Sequence, residues 1–286
     1  MYSTVIVGTD GAKAAVDALT LARTLTAPDG RLLVVCVRPP DPPFEPEVGT
    51  RRVVEADHVL AAARVVLQDD GRAEYLTPCG PSAAAELHAL ALDNGGDLIV
   101  VGSSHRGVVG RVLLGSVTRA VLDGAPASVA IAPVHLHEHP PLELQEVGVG
   151  FDGTAESEVA LQAAATFARA HQAHLRVLSA TDVGDAGPVA VTVFPTPELV
   201  TRMATAADAQ VAAAVTRLGG PEQVAGEVLT GGSTVEQLVR ASHELDVLFL
   251  GSRATASQRR TLLGSVSARI ADAAACPVVV VPQGAE

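Results

Sequence analysis

The chain is written twice, and no other feature constrains its fold so strongly. DLIVVGS at 97–103 recurs as DVLFLGS at 246–252, and LLGSVTRAV at 113–121 recurs as LLGSVSARI at 262–270. Gly102 and Gly251 stand 149 residues apart, as do Gly115 and Gly264. VIVGTDG at 5–11 is matched by VGVGFDG at 147–153, an offset of 142, so the second copy has gained about seven residues between its ends. A period of that size is a domain and not a solenoid unit. The 286 residues therefore divide into domains at 1–134 and 147–286. Between them runs HLHEHPPLELQE, 135–146, a polar and Pro-bearing linker. Its alternating His135, His137 and His139 fit either a solvated linker or a metal clip. With no Cys or fourth fixed ligand nearby, the solvated linker is the preferred reading.

Each copy alternates short apolar runs with helical patterns. In the first, VIVGT (5–9), RLLVVCV (31–37), AEYLT (73–77), DLIVVG (97–102) and SVAIA (128–132) show little internal alternation, as strands covered on both faces should. Ala12, Ala15, Val16, Leu19 and Ala22 recur at helical spacing between the first two, as do Ala84, Leu87 and Ala91 later. Strand and helix in alternation predict a parallel sheet with helices on both faces. In such sheets ligands gather beyond the strand carboxyl ends. Asp10 follows the first strand there and Val37 closes the second.

Composition narrows the partners. Lys and Arg number 20 against a formal net charge of −12, and aromatics are 2% with no Trp. Neither a basic footprint nor stacking platforms for nucleic acid are present. PVVVVP at 277–282 is among the longest apolar runs, far short of the ~20 residues of a membrane span. Cys36, Cys79 and Cys276 are odd in number and widely spaced, which suits a reducing compartment and buried thiols better than a disulfide framework. No basic segment leads into an apolar stretch at MYSTVIVGTDG. The expected location is the cytoplasm.

The chemistry concentrates in GSSHRGVVGRVLLGS, 102–116. Gly115-Ser116 precedes a helical run from Val117 to Leu122. A helix start preceded by glycine offers unpaired N–H groups to an anion. Ser116 fits two roles, an N-cap or a phosphate donor. Gly102, Gly107 and Gly110 permit close backbone approach, and Arg106 and Arg111 add positive charge. Several familiar patterns fail. No Lys precedes Ser116, as a P-loop requires, and the spacing is wrong for a dinucleotide G-x-G-x-x-G. Arg106 replaces the last glycine of a G-x-S-x-G nucleophile elbow.

With these residues the chain resembles the universal stress protein family over both halves, as a tandem of two such domains. The family's ATP-binding members carry G-x2-G-x9-G-[ST] after the fourth strand, an Asp after the first and an apolar residue ending the second. Gly102, residues 106–114, Gly115-Ser116, Asp10 and Val37 match. The second motif glycine is replaced by His105 in the first copy and Ala254 in the second. A non-Gly residue in a left-handed backbone there costs about 1–2 kcal/mol. The second copy also has Ala256 and Arg259 where the first has Gly107 and Gly110.

The resemblance implies two doubly wound α/β domains, each a five-stranded parallel sheet of order 3-2-1-4-5 with helices on both faces. It implies a site formed by Gly8, Asp10, Val37, Val101, Gly102, His105, Arg106, Gly115, Ser116 and Val117. Val37 would meet adenine through its backbone, and Gly115, Ser116 and Val117 would hold phosphates. Asp152, Ala180, Gly251, Arg253, Gly264, Ser265 and Val266 are the second-copy candidates. ATP with Mg²⁺ is the expected ligand, the ion held mainly by phosphates and water. A capping role for Asp10, on a helix starting at Gly11, is compatible with this. The resemblance further implies pairing through the fifth strands, between the halves of one chain or between two chains. The expected function is regulatory nucleotide binding in a stress response, without catalysis. An empty interaction scaffold and a slow ATP hydrolase are the alternatives, the latter lacking a carboxylate or Lys in the loop to orient water.

Overall fold

In the computed structural model the described residues are 1–103, 114–139, 143–181, 197–220, 224–255, 260–262 and 265–283, with the backbone alone at 197–200, 253–255, 260–262 and 265. His105, Arg106, Ala254's side chain, the residues at 107–111 and Gly264 lie outside this description. The chain splits into two compact units, one centred on Met1–Leu142 and one formed by Glu143–Ser252 with Gly264–Gln283.

The first unit runs β1 (Tyr2–Gly8), α1 (Lys13–Leu25), β2 (Thr26–Val35), α2 (Pro46–Leu67), β3 (Ala73–Leu76), α3 (Ala83–Asn94), β4 (Leu98–Gly102), α4 (Ser116–Leu122) and β5 (Ser128–Ala132). Its strands are all parallel in the order β3-β2-β1-β4-β5. The layering follows from burial. Val5–Val7, Leu32–Val35 and Leu98–Val101 are buried, so each strand needs cover on both faces, and the intervening helices supply it. The second unit repeats the plan with β6 (Glu146–Gly150), α5 (Ala155–His171), β7 (His174–Ala180), α6 (Pro197–Arg217), β8 (Val224–Leu229), α7 (Thr234–Ala241), β9 (Val247–Thr255), α8 (Ser265–Ala273) and β11 (Val278–Pro282); the short β10 (Arg260–Leu262) lies outside its bounds. Its parallel order is β11-β9-β6-β7-β8. Each unit is thus a doubly wound domain of order 3-2-1-4-5.

The repetition extends to single carboxylates. Asp97 accepts hydrogen bonds from the N–H groups of Ser3 (2.8 Å) and Thr4 (3.0 Å), tying the entry of β1 to that of β4. Asp246 accepts from Gln145 (2.6 Å) and Glu146 (2.8 Å) in the same way. In both places one carboxylate satisfies two backbone amides at a strand entry.

Several local expectations are corrected. β2 ends at Val35, because Thr9 takes the Val35 carbonyl (2.9 Å) and β1 then turns away into α1. Val37 lies beyond the strand. β9 does not give way to a loop after Gly251: it continues to Thr255 and pairs antiparallel with β10, Arg260 opposite Thr255. The histidine segment is not merely solvated. Leu136–Glu138 form a 3₁₀ turn, and the buried carboxylate of Asp17 accepts from His135 N–H (3.1 Å), His137 N–H (2.9 Å) and His137 Nδ1 (2.6 Å). His135 Nδ1 meets Glu138 at 2.8 Å. Among the described residues no group of three His, Cys, Asp or Glu side chains is arranged to hold a metal ion.

Candidate functional site

At the carboxyl ends of β1, β2 and β4 the first unit holds an open cavity of about 750 Å³, within the range of small-molecule sites. Gly8, Asp10, Val37, Val101, Gly102, Gly115, Ser116 and Val117 all line it. These are the first-copy candidates that fall on described residues. α2 contributes Arg52, Glu55, Ala56 and Val59, and α3 contributes Ala83 and Leu87.

One end of the cavity is a piece of backbone without a strand neighbour. Cys36 and Arg38 donate to the carbonyls of Leu76 and Pro78 on the β3 side, both at 2.9 Å. Backbone groups of successive extended residues point to opposite sides, so the N–H and C=O of Val37 face the side that β1 has left. They form a donor–acceptor pair one residue wide. Nearby, Asp10 lies in a turn, its Oδ1 accepting from Ala12 N–H at 2.9 Å. The N-cap of α1 is Ala12, without a side-chain cap bond, so Asp10 shapes the turn and is not the cap. The turn places Gly11 at φ +76°, where glycine is the residue without strain. Between them Cys36 feels the site electrostatically: burial pushes its thiol up, Asp10 adds to the shift, and Arg38 opposes it.

The other end is the first turn of α4. Gly115 is its N-cap and Ser116 the first helical residue, which corrects the reading of Ser116 as the cap. Arg119 N–H makes the first intrahelical bond, to the Gly115 carbonyl at 3.0 Å. The amides of Ser116, Val117 and Thr118 lie ahead of it, at the positive end of the helix. The Thr118 hydroxyl donates to the Gly102 carbonyl at 2.9 Å.

Gly102 has a structural reason to be glycine. A Cβ there would stand 2.3 Å from the Ala14 carbonyl oxygen of α1. In the second unit a Cβ on Gly251 would stand 2.4 Å from the Glu156 carbonyl oxygen of α5. The first motif glycine is thus required by close helix–strand packing in both copies. Its retention at Gly251 says nothing about a ligand.

The second copy differs where a ligand would lie. Asp152 Oδ1 accepts from both the N–H (3.1 Å) and the hydroxyl (2.6 Å) of Thr154. Ala180 ends β7, still paired with Leu229. Just beyond it, the buried Gln237 donates through Nε2 to the carbonyls of Thr181 (3.0 Å) and Gly232 (2.7 Å). Val266 is exposed in the first turn of α8, and the Ser267 hydroxyl reaches the Gly251 carbonyl at 3.2 Å. Arg253 and Ser265 are placed in backbone only.

Sequence reasoning missed Arg38 and Ser103. Both line the cavity, and each directly follows a residue that was chosen, Val37 or Gly102. A charged residue just past a core strand was the available signal for Arg38.

A profile of the universal stress protein family matches residues 1–133 and again 143–282. A universal stress protein of Thermus aquaticus is 35% identical over 137 residues, covering 46% of this chain and 98% of that one. One of Mycobacterium tuberculosis is 29% identical over 197 residues; the match spans 67% of this chain and 64% of that protein. A universal stress protein structure from Archaeoglobus fulgidus superposes with a TM-score of 0.73 at 20% identity, covering 98% of both chains. The double match, across two doubly wound domains each built on the same plan, makes this chain a tandem member of the universal stress protein family.

Proposed function

We propose that the first unit binds ATP or a related adenine nucleotide as a regulatory ligand in a stress response. The observation that carries this reading is the convergence on one cavity of a strand-end donor–acceptor pair at Val37 and the α4 amides beside Gly115. The Val37 C=O and N–H complement the amino group and ring nitrogen on one edge of adenine. The first turn of α4 suits phosphoryl oxygens, with the exposed Ser116 hydroxyl as a further donor. Mg²⁺ fits as an ion carried by the phosphates and water. It would neutralise phosphate charge in a protein whose own net charge is −12.

The second unit is the weaker binder, because Gln237 already bridges the segment past Ala180 and Asp152 is committed to Thr154. Holding, not turnover, is the activity proposed for the first unit. Asp10 is engaged in its turn, its Oδ1 accepting from Ala12 N–H. Mass spectrometry of small molecules released from denatured protein, followed by ATP titration of stripped protein, tests the reading. An adenine nucleotide recovered and rebound with slow hydrolysis supports it; a protein that binds none is the empty scaffold, and rapid ADP release is an enzyme.

A further inference from the structure

Polar groups that are dry and unbonded are costly and rare in folded proteins, and each calls for a partner. Two of them belong to residues on the wall of the first-unit cavity. Ser103 is 2% exposed, and its Oγ has no hydrogen-bond partner. Nε and Nη1 of Arg38 are buried in the same condition. The nearest carboxylate to Arg38, Asp41, lies 3.5 Å from Nη1 and is itself half exposed, which is a loose ion pair and not a hydrogen bond.

The backbones of both residues are anchored while their side chains stand idle. Ser103 N–H donates to Ala132 (3.0 Å), Arg38 N–H donates to Pro78 (2.9 Å), and the Arg38 carbonyl accepts from Gly80 N–H (2.9 Å). Thr118 makes the contrast, since its hydroxyl in the same wall is taken by Gly102. The two residues follow different strands of the wall, β2 and β4, with β1 between them. Arg38 flanks Val37, and Ser103 follows Gly102 beside the first turn of α4.

We infer that Arg38 and Ser103 are ligand contacts, the Arg38 guanidinium donating to an acceptor atom of a purine ring and the Ser103 hydroxyl to a phosphoryl oxygen of the same nucleotide. The inference rests on the nucleotide reading of this cavity and names two residues that select the ligand. Serine has three staggered χ1 wells and arginine several rotatable bonds, so groups packed dry against the wall can turn toward a ligand. The ligand class this requires has a ring acceptor at one end and an anion at the other.

A ligand contact and a structural contact predict opposite signs in the ligand-free protein. Ser103→Ala and Arg38→Met, made in the full chain and stripped of ligand, are expected to melt at or above the wild-type temperature, because each removes a dry unbonded group. Each is expected to bind ATP about tenfold more weakly, the loss of one hydrogen bond of ~1.4 kcal/mol. Adenosine affinity should fall in Arg38→Met and hold in Ser103→Ala, since adenosine carries no phosphate. A lower melting temperature in both variants, or ATP and adenosine affinities equal to wild type in both, overturns the inference and leaves the nucleotide reading standing. A wild-type protein that binds neither ATP nor adenosine removes the reading, and the inference falls with it.

Discussion

The Thr118 hydroxyl donates to the Gly102 carbonyl at 2.9 Å, and 149 residues further on the Ser267 hydroxyl donates to the Gly251 carbonyl at 3.2 Å. Both bonds join the first turn of a short helix to the last residue of a core strand or to its motif glycine. In each case that glycine carries the opening turn of another helix against its other side. One peptide therefore sets the spacing of three elements that surround the cavity in the first unit.

Removing this bond should loosen the α4 wall. Thr118→Val keeps the shape of the side chain and leaves a part-buried carbonyl unpaired, a loss of about 1–2 kcal/mol. Thr118→Ser should restore most of it, as serine makes the same bond in the second unit. Urea denaturation of the three proteins checks this; equal stability of Thr118→Val and wild type would show the bond to be incidental.

Gly102→Ala and Gly251→Ala should both destabilise, by about 1–3 kcal/mol or more, because the added methyl meets a backbone carbonyl that cannot swing aside as a side chain would. The prediction separates packing from binding. If Gly251→Ala leaves the thermal midpoint unchanged, close packing is not what holds glycine at that place.

The α4 amides are tested by Gly115→Val combined with Ser116→Ala. The variant is expected to lose at least ~3 kcal/mol of ATP binding, roughly a hundredfold, with circular dichroism unchanged. Isolated 1–142 and 143–286 fragments, provided each folds, should bind ATP in the order first over second. Tighter binding by the second fragment would contradict the roles assigned to Gln237 and Asp152.

Acid should weaken the second unit through His171. Burial lowers its pKa to about 4, Nε2 has no hydrogen-bond partner, and its ring lies 4.3 Å from that of Phe167. In the unfolded chain the ordinary value is about 6.5. Between pH 6.5 and 4 the unfolded state binds the extra proton, so this contribution to stability is intact above 6.5 and falls as pH drops toward 4. The effect should be on the order of 1 kcal/mol after allowance for partial solvent screening. His171→Phe is expected to flatten the stability profile over that window, and an unchanged acid slope would remove His171 as its source.

Much of this architecture was legible in residue order. The 149-residue echo of DLIVVGS and LLGSV fixed the domain count, and unalternating runs such as Leu98–Val101 marked buried parallel strands, because burial on both faces leaves no polar positions to interrupt them. Asp10, Val37, Gly102 and Ser116 could be named for the same cavity because parallel winding collects strand ends on one edge. What local pattern could not carry were contacts closed by folding. Asp17 meets His137 across 120 residues, and nothing near either residue announces the other. Only packing shows that Gly102 is glycine to admit Ala14, that Gly115 and not Ser116 caps α4, and that Arg38 and Ser103 are left dry. A short motif records which backbone shapes are allowed, whereas the state of a side chain depends on every element packed around it, and those elements are brought together only by the tertiary fold.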